Sequence, residues 1–228
     1  MPMRLPTDQQ RTAIIGSTGS GKTQFACWLL STRDFTGRPW IIFDYKGDEL
    51  IDKLGAKEIK ITDKPPTKPG LYVVRPLADT ETEAVEKFLW AVHRNGDTGI
   101  YIDEGYMIGK SSAFRALLTQ GRSKHIPMIV LSQRPAWISR FVFSEANFFA
   151  IFRLTDEDDV KEVKRFIGPR GRALVNHGLP AYHCVWFDVG GGAGHGNTVL
   201  CAPVPSAKEI VATFRAKLGK NATQKRVI

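Results

Sequence analysis

Eight consecutive residues, Gly16, Ser17, Thr18, Gly19, Ser20, Gly21, Lys22 and Thr23, have the types and spacing of a loop that holds phosphate. In such a loop successive backbone N–H groups wrap an anion, the N-terminus of the following helix adds positive potential, and glycines let the chain approach closely. Gly16, Gly19 and Gly21 supply that freedom here. Lys22 then reaches the β and γ phosphates of a nucleotide and the Thr23 hydroxyl ligates magnesium, so the expected ligands are ATP and Mg2+.

A second group, Ile100-Tyr101-Ile102-Asp103-Glu104, is an apolar strand that ends in two carboxylates. A parallel sheet exposes the C-terminal ends of its strands on the rim that carries the phosphate loop. There Asp103 can bind magnesium or its water shell, and Glu104 can orient an attacking water. A ligand-free glycine turn, or a solvated carboxylate pair, would explain either motif alone, but one chain that carries both points to a nucleotide site. A Glu directly after the Asp is more typical of enzymes that activate water than of small-molecule kinases, so hydrolysis is the expected reaction.

The surrounding pattern supplies the elements that must position these groups. Residues 11–15 read as a short buried strand and 22–30 carry apolar residues at helical spacing, the strand, loop, helix order that a phosphate loop requires. Further strands are expected at 40–44, 71–75, 99–103, 127–131 and 148–154, with helices at 80–93, 112–124 and 157–166. Residues 182–189 and 198–202 look like an antiparallel pair connected by the glycine-rich 190–196, and Ser206 with Glu209 forms a capping box for a last helix over 207–218. The expected fold class is α/β: a P-loop NTPase with a mainly parallel central sheet flanked by helices and a C-terminal antiparallel strand pair. A single ATPase domain is expected over 1–218, followed by a flexible basic tail over 219–228.

Composition narrows the function classes. The chain has 228 residues, 43% hydrophobic and 24% charged, which excludes disordered and fibrous proteins. Its apolar runs, such as 126–131 and 148–152, fall well short of the roughly 20 residues that cross a bilayer, and the N-terminus lacks a secretory apolar core, so a cytoplasmic location is expected. Cys27, Cys184 and Cys201 lack metal-ligand spacing and read as reduced, buried thiols; His93, His125, His177, His183 and His195 likewise share no ligand spacing. Lysine and arginine number 32 against 23 acids, a balance of +9 that suits a polyanionic partner.

The sequence that follows, Ile129-Val130-Leu131-Ser132-Gln133-Arg134-Pro135, resembles the FtsK-HerA superfamily of DNA-pumping ATPases, whose fold is RecA-like. A Gln at this strand end followed by Arg-Pro is similar to that family's sensor, which implies that Gln133 contacts the γ phosphate or the water and reports hydrolysis. Asp44-Tyr45-Lys46-Gly47 resembles the Asp-x-Lys-Gly segment of secretion coupling ATPases in the same superfamily, and Phe152-Arg153-Leu154 its next strand, so the resemblance spans 11–166. Family members carry an arginine finger near the end of the helix before the Gln strand. Arg122 matches that place, with Arg134 and Arg153 as rivals. A finger that enters a neighbour's site implies a homo-oligomeric ring, in this family usually a hexamer.

At this length the chain is similar to the compact genome-packaging ATPases of tailless double-jelly-roll viruses such as the tectiviruses. That resemblance implies an ATP-driven translocase of double-stranded DNA, in the host cytoplasm or at a virion vertex, with a capsid or vertex protein as docking partner. An export or assembly ATPase of a secretion or phage-extrusion system is the second reading, and a small-molecule kinase the third. Candidate phosphate contacts are the basic stretch 57–68, Lys110 with Arg115, the 137–140 loop, 161–172 and the tail 220–226.

Overall fold

The computed structural model describes residues 3–109, 111–191 and 196–224. Lys110, the centre of the 190–196 connection with His195, and the end of the basic tail lie outside the described residues. The strands are β1 (Arg11–Ile15), β2 (Pro39–Phe43), β3 (Lys57–Glu58), β4 (Gly70–Val74), β5 (Gly99–Ile102), β6 (Met128–Ser132), β7 (Phe148–Ile151), β8 (Cys184–Asp188) and β9 (Asn197–Cys201). Among the described residues they form one sheet in the order β3-β4-β2-β5-β6-β1-β7-β8-β9. Pairing is parallel from β3 to β7, and β7-β8-β9 are antiparallel.

Helices α1 (Lys22–Ser31), α2 (Glu49–Lys53), α3 (Thr82–Asn95), α4 (Ser112–Gln120), α5 (Arg140–Ser144), α6 (Glu157–Lys164), α7 (Pro169–His177) and α8 (Ala207–Gln224) complete the chain. Because side chains alternate along a strand, the sheet feeds two cores. Ala13, Ile15, Ile41 and Phe43 pack with Phe88 and Leu89 of α3 and Phe114 and Leu117 of α4. Ile14, Trp40 and Ile42 pack on the other face with Phe25 and Leu29 of α1 and Ile210 and Phe214 of α8. Every residue of β1, β2, β5, β6 and β7 is buried, as strands covered on both faces must be.

The mainly parallel sheet and the C-terminal antiparallel strands agree with the sequence reading. Short elements differ. The turn after β2 becomes α2, capped by the Asp48 carboxylate on the Leu50 N–H, and the basic 57–68 stretch begins with the two-residue edge strand β3. Helix α5 is too short, and α7 carries too few apolar residues, to show a clear period. α4 ends at Gln120 because the chain turns sharply at Gly121, whose carbonyl accepts from Lys124 and Ile126 N–H. α8 starts where the capping box predicts and runs past Leu218 to Gln224.

α8 is built into the core. Phe214 is fully buried and stacks on Phe35 at 5.4 Å, while the Lys217 amino group lies 5.4 Å over the same ring and donates to the Ser31 and Arg33 carbonyls at the end of α1. Phe214→Ala should cost about 3–5 kcal/mol of unfolding free energy, read from urea denaturation.

Candidate nucleotide site

The C-terminal edge of the sheet gathers four chain segments. β6 lies between β1 and β5, so Gln133 is inserted between the phosphate loop and the carboxylates at the end of β5. The loop is fastened on both sides: Gly16 N–H donates to the Ser132 carbonyl (3.2 Å) and Ser17 N–H to the Arg153 carbonyl (3.0 Å). A Cβ on Gly16 would stand 2.6 Å from the Phe152 Cβ, so only glycine fits. Gly21 takes φ 96° to turn the chain into α1, a conformation that side chains rarely adopt.

Lys22, the first residue of α1, is buried with its ammonium 3.9 Å from Glu104 Oε1. Burial holds its pKa below the ordinary lysine value; Glu104 opposes this and the charge of Lys46 adds to it. Thr23 follows in the first turn of α1 and is half-buried. Thr18 donates its hydroxyl to the Gln133 side-chain carbonyl, so the loop and the end of β6 are joined directly. Ser20 Oγ is buried without a hydrogen-bond partner, a polar atom ready for a ligand.

Asp103 and Glu104 are both buried. The Asp103 N–H still pairs with the Phe43 carbonyl (2.9 Å), which continues the sheet, whereas its Oδ1 has no hydrogen-bond partner. Burial first, and the adjacent Glu104 second, push its pKa up to about 7. Glu104 occupies the left-handed region (φ 61°, ψ 67°), a strained position for a long side chain. Its Oε2 accepts the Gln133 N–H at 3.3 Å and its Oε1 is paired with the Lys46 ammonium.

The orphaned Asp103 oxygen beside the start of α1 fits a hard cation that takes a carboxylate, a hydroxyl and phosphate oxygens with waters. Among the described residues there is no cluster of three or more His, Cys, Asp or Glu that could hold a metal ion.

Two cavities flank the loop. One, of about 190 Å³, lies at the start of α1 between Phe152, Tyr182 and Pro203, and is mainly apolar. Tyr182 has φ 59° and is 60% exposed, an aromatic face presented beside Gly21. The other, of about 380 Å³, is polar and lies between Ser17, Thr18, Gln133 and Arg153.

The three arginine candidates separate. Arg134 is held by Asp156 and Asp159 and covers the Trp137 ring at 4.6 Å, and Arg153 flanks this chain's own loop. Arg122 is exposed in the turn after α4, beside Arg11, whose pKa its charge helps to lower after burial. That is the opposite edge of the sheet, a strand length of roughly 15 Å from this chain's own phosphate loop. Two features were not legible in the sequence. Lys46 stands in the Asp-x-Lys-Gly segment, but its pairing with Glu104 emerges only from the Asp44 turn, and the left-handed backbone that presents Tyr182 leaves no mark in the sequence.

Fold and site define an FtsK-HerA-like P-loop ATPase. The chain is 44% identical over 232 residues to the DNA packaging ATPase P9 of Enterobacteria phage PRD1, in an alignment covering 98% of this chain and 99% of that protein. It belongs to the family of that packaging ATPase. The genome packaging NTPase B204 from Sulfolobus turreted icosahedral virus 2, in complex with AMP, shares the fold with a TM-score of 0.67 at 18% identity, over 88% of this chain and all of that one. EssC (ATPases 2 and 3) from Geobacillus thermodenitrificans superposes with a TM-score of 0.62 at 13% identity, over 96% of this chain and 45% of that one. The type IV secretion-system coupling protein DNA-binding domain family matches residues 1–58.

Folded Asp103 takes up its proton near pH 7, against an ordinary value of 3.8, so between those values folding binds a proton and metal-free stability falls as pH rises. Asp103→Asn should flatten this slope when melting temperature is followed from pH 4 to pH 8 in chelator.

Proposed function

We propose that this chain is the motor that drives double-stranded DNA into a preformed viral capsid, with ATP hydrolysis as its energy source. The observation that carries the proposal is 44% identity over nearly the full length to a packaging ATPase, in a chain whose loop, Asp103, Glu104 and Gln133 meet at one sheet edge. The loop residues Gly16 to Thr23 hold the phosphates, and Lys22 reaches the β and γ groups. Thr23 and Asp103 hold magnesium, which when bound offsets charge on the phosphate oxygens. Glu104 orients the attacking water, and Gln133 reports the state of the γ phosphate to the loop through Thr18. The apolar cavity beside Tyr182 takes the adenine base.

The working form in this reading is a homo-oligomeric ring, a hexamer by resemblance, that docks on a capsid or vertex protein in the host cytoplasm. Its remoteness from its own site suits Arg122 to a role in the neighbour's, where a positive charge in trans can be worth roughly 10³- to 10⁵-fold in rate. Exposed lysines in 57–68 and Arg170 and Arg172 on α7 are candidates for sequence-independent phosphate contacts, whereas Lys161 and Arg165 are paired with Glu157, Asp158 and Glu162. No helix of the described residues is long and apolar enough to cross a membrane.

The match of residues 1–58 to a family named for a secretion-system coupling protein leaves a second reading, an export ATPase. Duplex DNA separates the two. Addition of DNA should stimulate phosphate release several-fold and the stimulation should fade with salt; indifference to DNA would favour export. Lys22→Ala should abolish nucleotide binding or turnover, and Glu104→Gln should bind ATP without hydrolysing it. Mixing Arg122→Ala with Lys22→Ala subunits should restore turnover in the mixture, and a failure to complement would remove Arg122 from the neighbour's site.

A further inference from the structure

Glu104 is surrounded by unequal partners. Among the described residues its Oε2 accepts one N–H, from Gln133 at 3.3 Å, and its Oε1 faces two ammonium groups, Lys46 in direct contact and Lys22 at 3.9 Å. Lys22 opens α1 behind the phosphate loop and turns to the phosphates when a nucleotide arrives. Lys46 is then the cation that stays with the buried carboxylate.

The turn that delivers Lys46 is braced. Asp44 Oδ1 accepts from the N–H groups of Lys46 (3.3 Å), Gly47 (2.9 Å) and Asp48 (3.2 Å), and Asp44 Oδ2 accepts from Arg75 Nε at 3.1 Å. Arg75 is itself held by Glu58 and Asp52. Despite this fixed backbone, the Lys46 side chain is 38% exposed, against 7% for Lys22. A lysine so open to water contributes little to the core, yet its charge is directed at a fully buried carboxylate.

We infer that Lys46 is a positioning residue for hydrolysis: together with the Gln133 N–H it fixes the Glu104 carboxylate in the orientation that receives the attacking water. The inference rests on the reading of Glu104 given under Proposed function. A carboxylate held at one oxygen alone can rotate about its last bond, and misplacing a group that orients a nucleophile costs rate rather than binding. Lys46 need touch neither nucleotide nor water for this effect.

The test is steady-state ATP hydrolysis by the full chain with Lys46→Met, Lys46→Arg and Glu104→Gln side by side. Lys46→Met should lower kcat about 10- to 100-fold, the range seen when a supporting partner of a reactive group is lost, with KM for ATP and melting temperature close to those of the parent. Lys46→Arg should recover most of the rate. If Lys46→Met melts early, Lys46→Gln gives the second measurement, with the same kcat loss at unchanged KM expected. Unchanged kcat in Lys46→Met beside an inactive Glu104→Gln overturns the inference and leaves Glu104 in place. So does a raised KM with kcat kept, which would mean that Lys46 grips the phosphate, or a Lys46→Arg no better than Lys46→Met. Near-normal turnover in Glu104→Gln would instead defeat the role given to Glu104.

Discussion

Two neighbouring carboxylates taken out of water at the end of β5 are the constraint around which this rim is arranged. A buried charge without partners is costly by several kcal/mol, and Asp103 and Glu104 meet that cost in opposite ways. Asp103 keeps one oxygen without a hydrogen-bond partner and holds its proton to about pH 7. Glu104 is paired with Lys46 and accepts from the Gln133 N–H. One acid is thereby left short of a cation and the other is already supplied. In the proposed mechanism, that asymmetry between adjacent residues of the same chemical type would allow a metal role and a water-orienting role to be separated.

The order of strands does the remaining work of assembly. With β6 between β1 and β5, three short turns at the ends of parallel strands become mutual neighbours, and no long loop is needed to bring Thr18, Gln133 and Glu104 together. The same parallel arrangement sends α4 back across the face of the sheet and leaves Arg122 at the far edge. Each chain thus keeps its glycine-rich loop and Arg122 on opposite edges, the arrangement that the proposed head-to-tail contact between identical copies would use.

The sequence made the framework legible where a residue type has one physical use. Gly16 to Thr23, the Asp103-Glu104 pair after an apolar run, and the capping box at Ser206 all stand where their patterns place them. The two faces of the sheet could also be read, because Ile14 and Ile15 belong to different cores by simple alternation. Arg75 and Tyr182 could not be read in the same way, and Lys46 could be read as a member of a family segment but not as the partner of Glu104. Their positions depend on a turn whose N–H groups converge on Asp44, on an ion-pair network drawn from Asp52 and Glu58, and on a left-handed tyrosine. Lysine, arginine and tyrosine are common on any surface, and only the folded chain says which of them stand beside this rim.

β1 sits near the middle of the sheet, yet both of its partners, β6 and β7, come more than a hundred residues later in the chain, and the end of α1 is capped by Lys217 of the last helix. A ribosome therefore releases the phosphate loop long before anything exists to hold it. Contacts so distant in sequence form late and slowly. Strand and loop wait as unfastened chain until β6 and β7 emerge, and α1 gains its final brace only near the end of synthesis. An incomplete polypeptide consequently has no formed site with which to consume the cell's ATP.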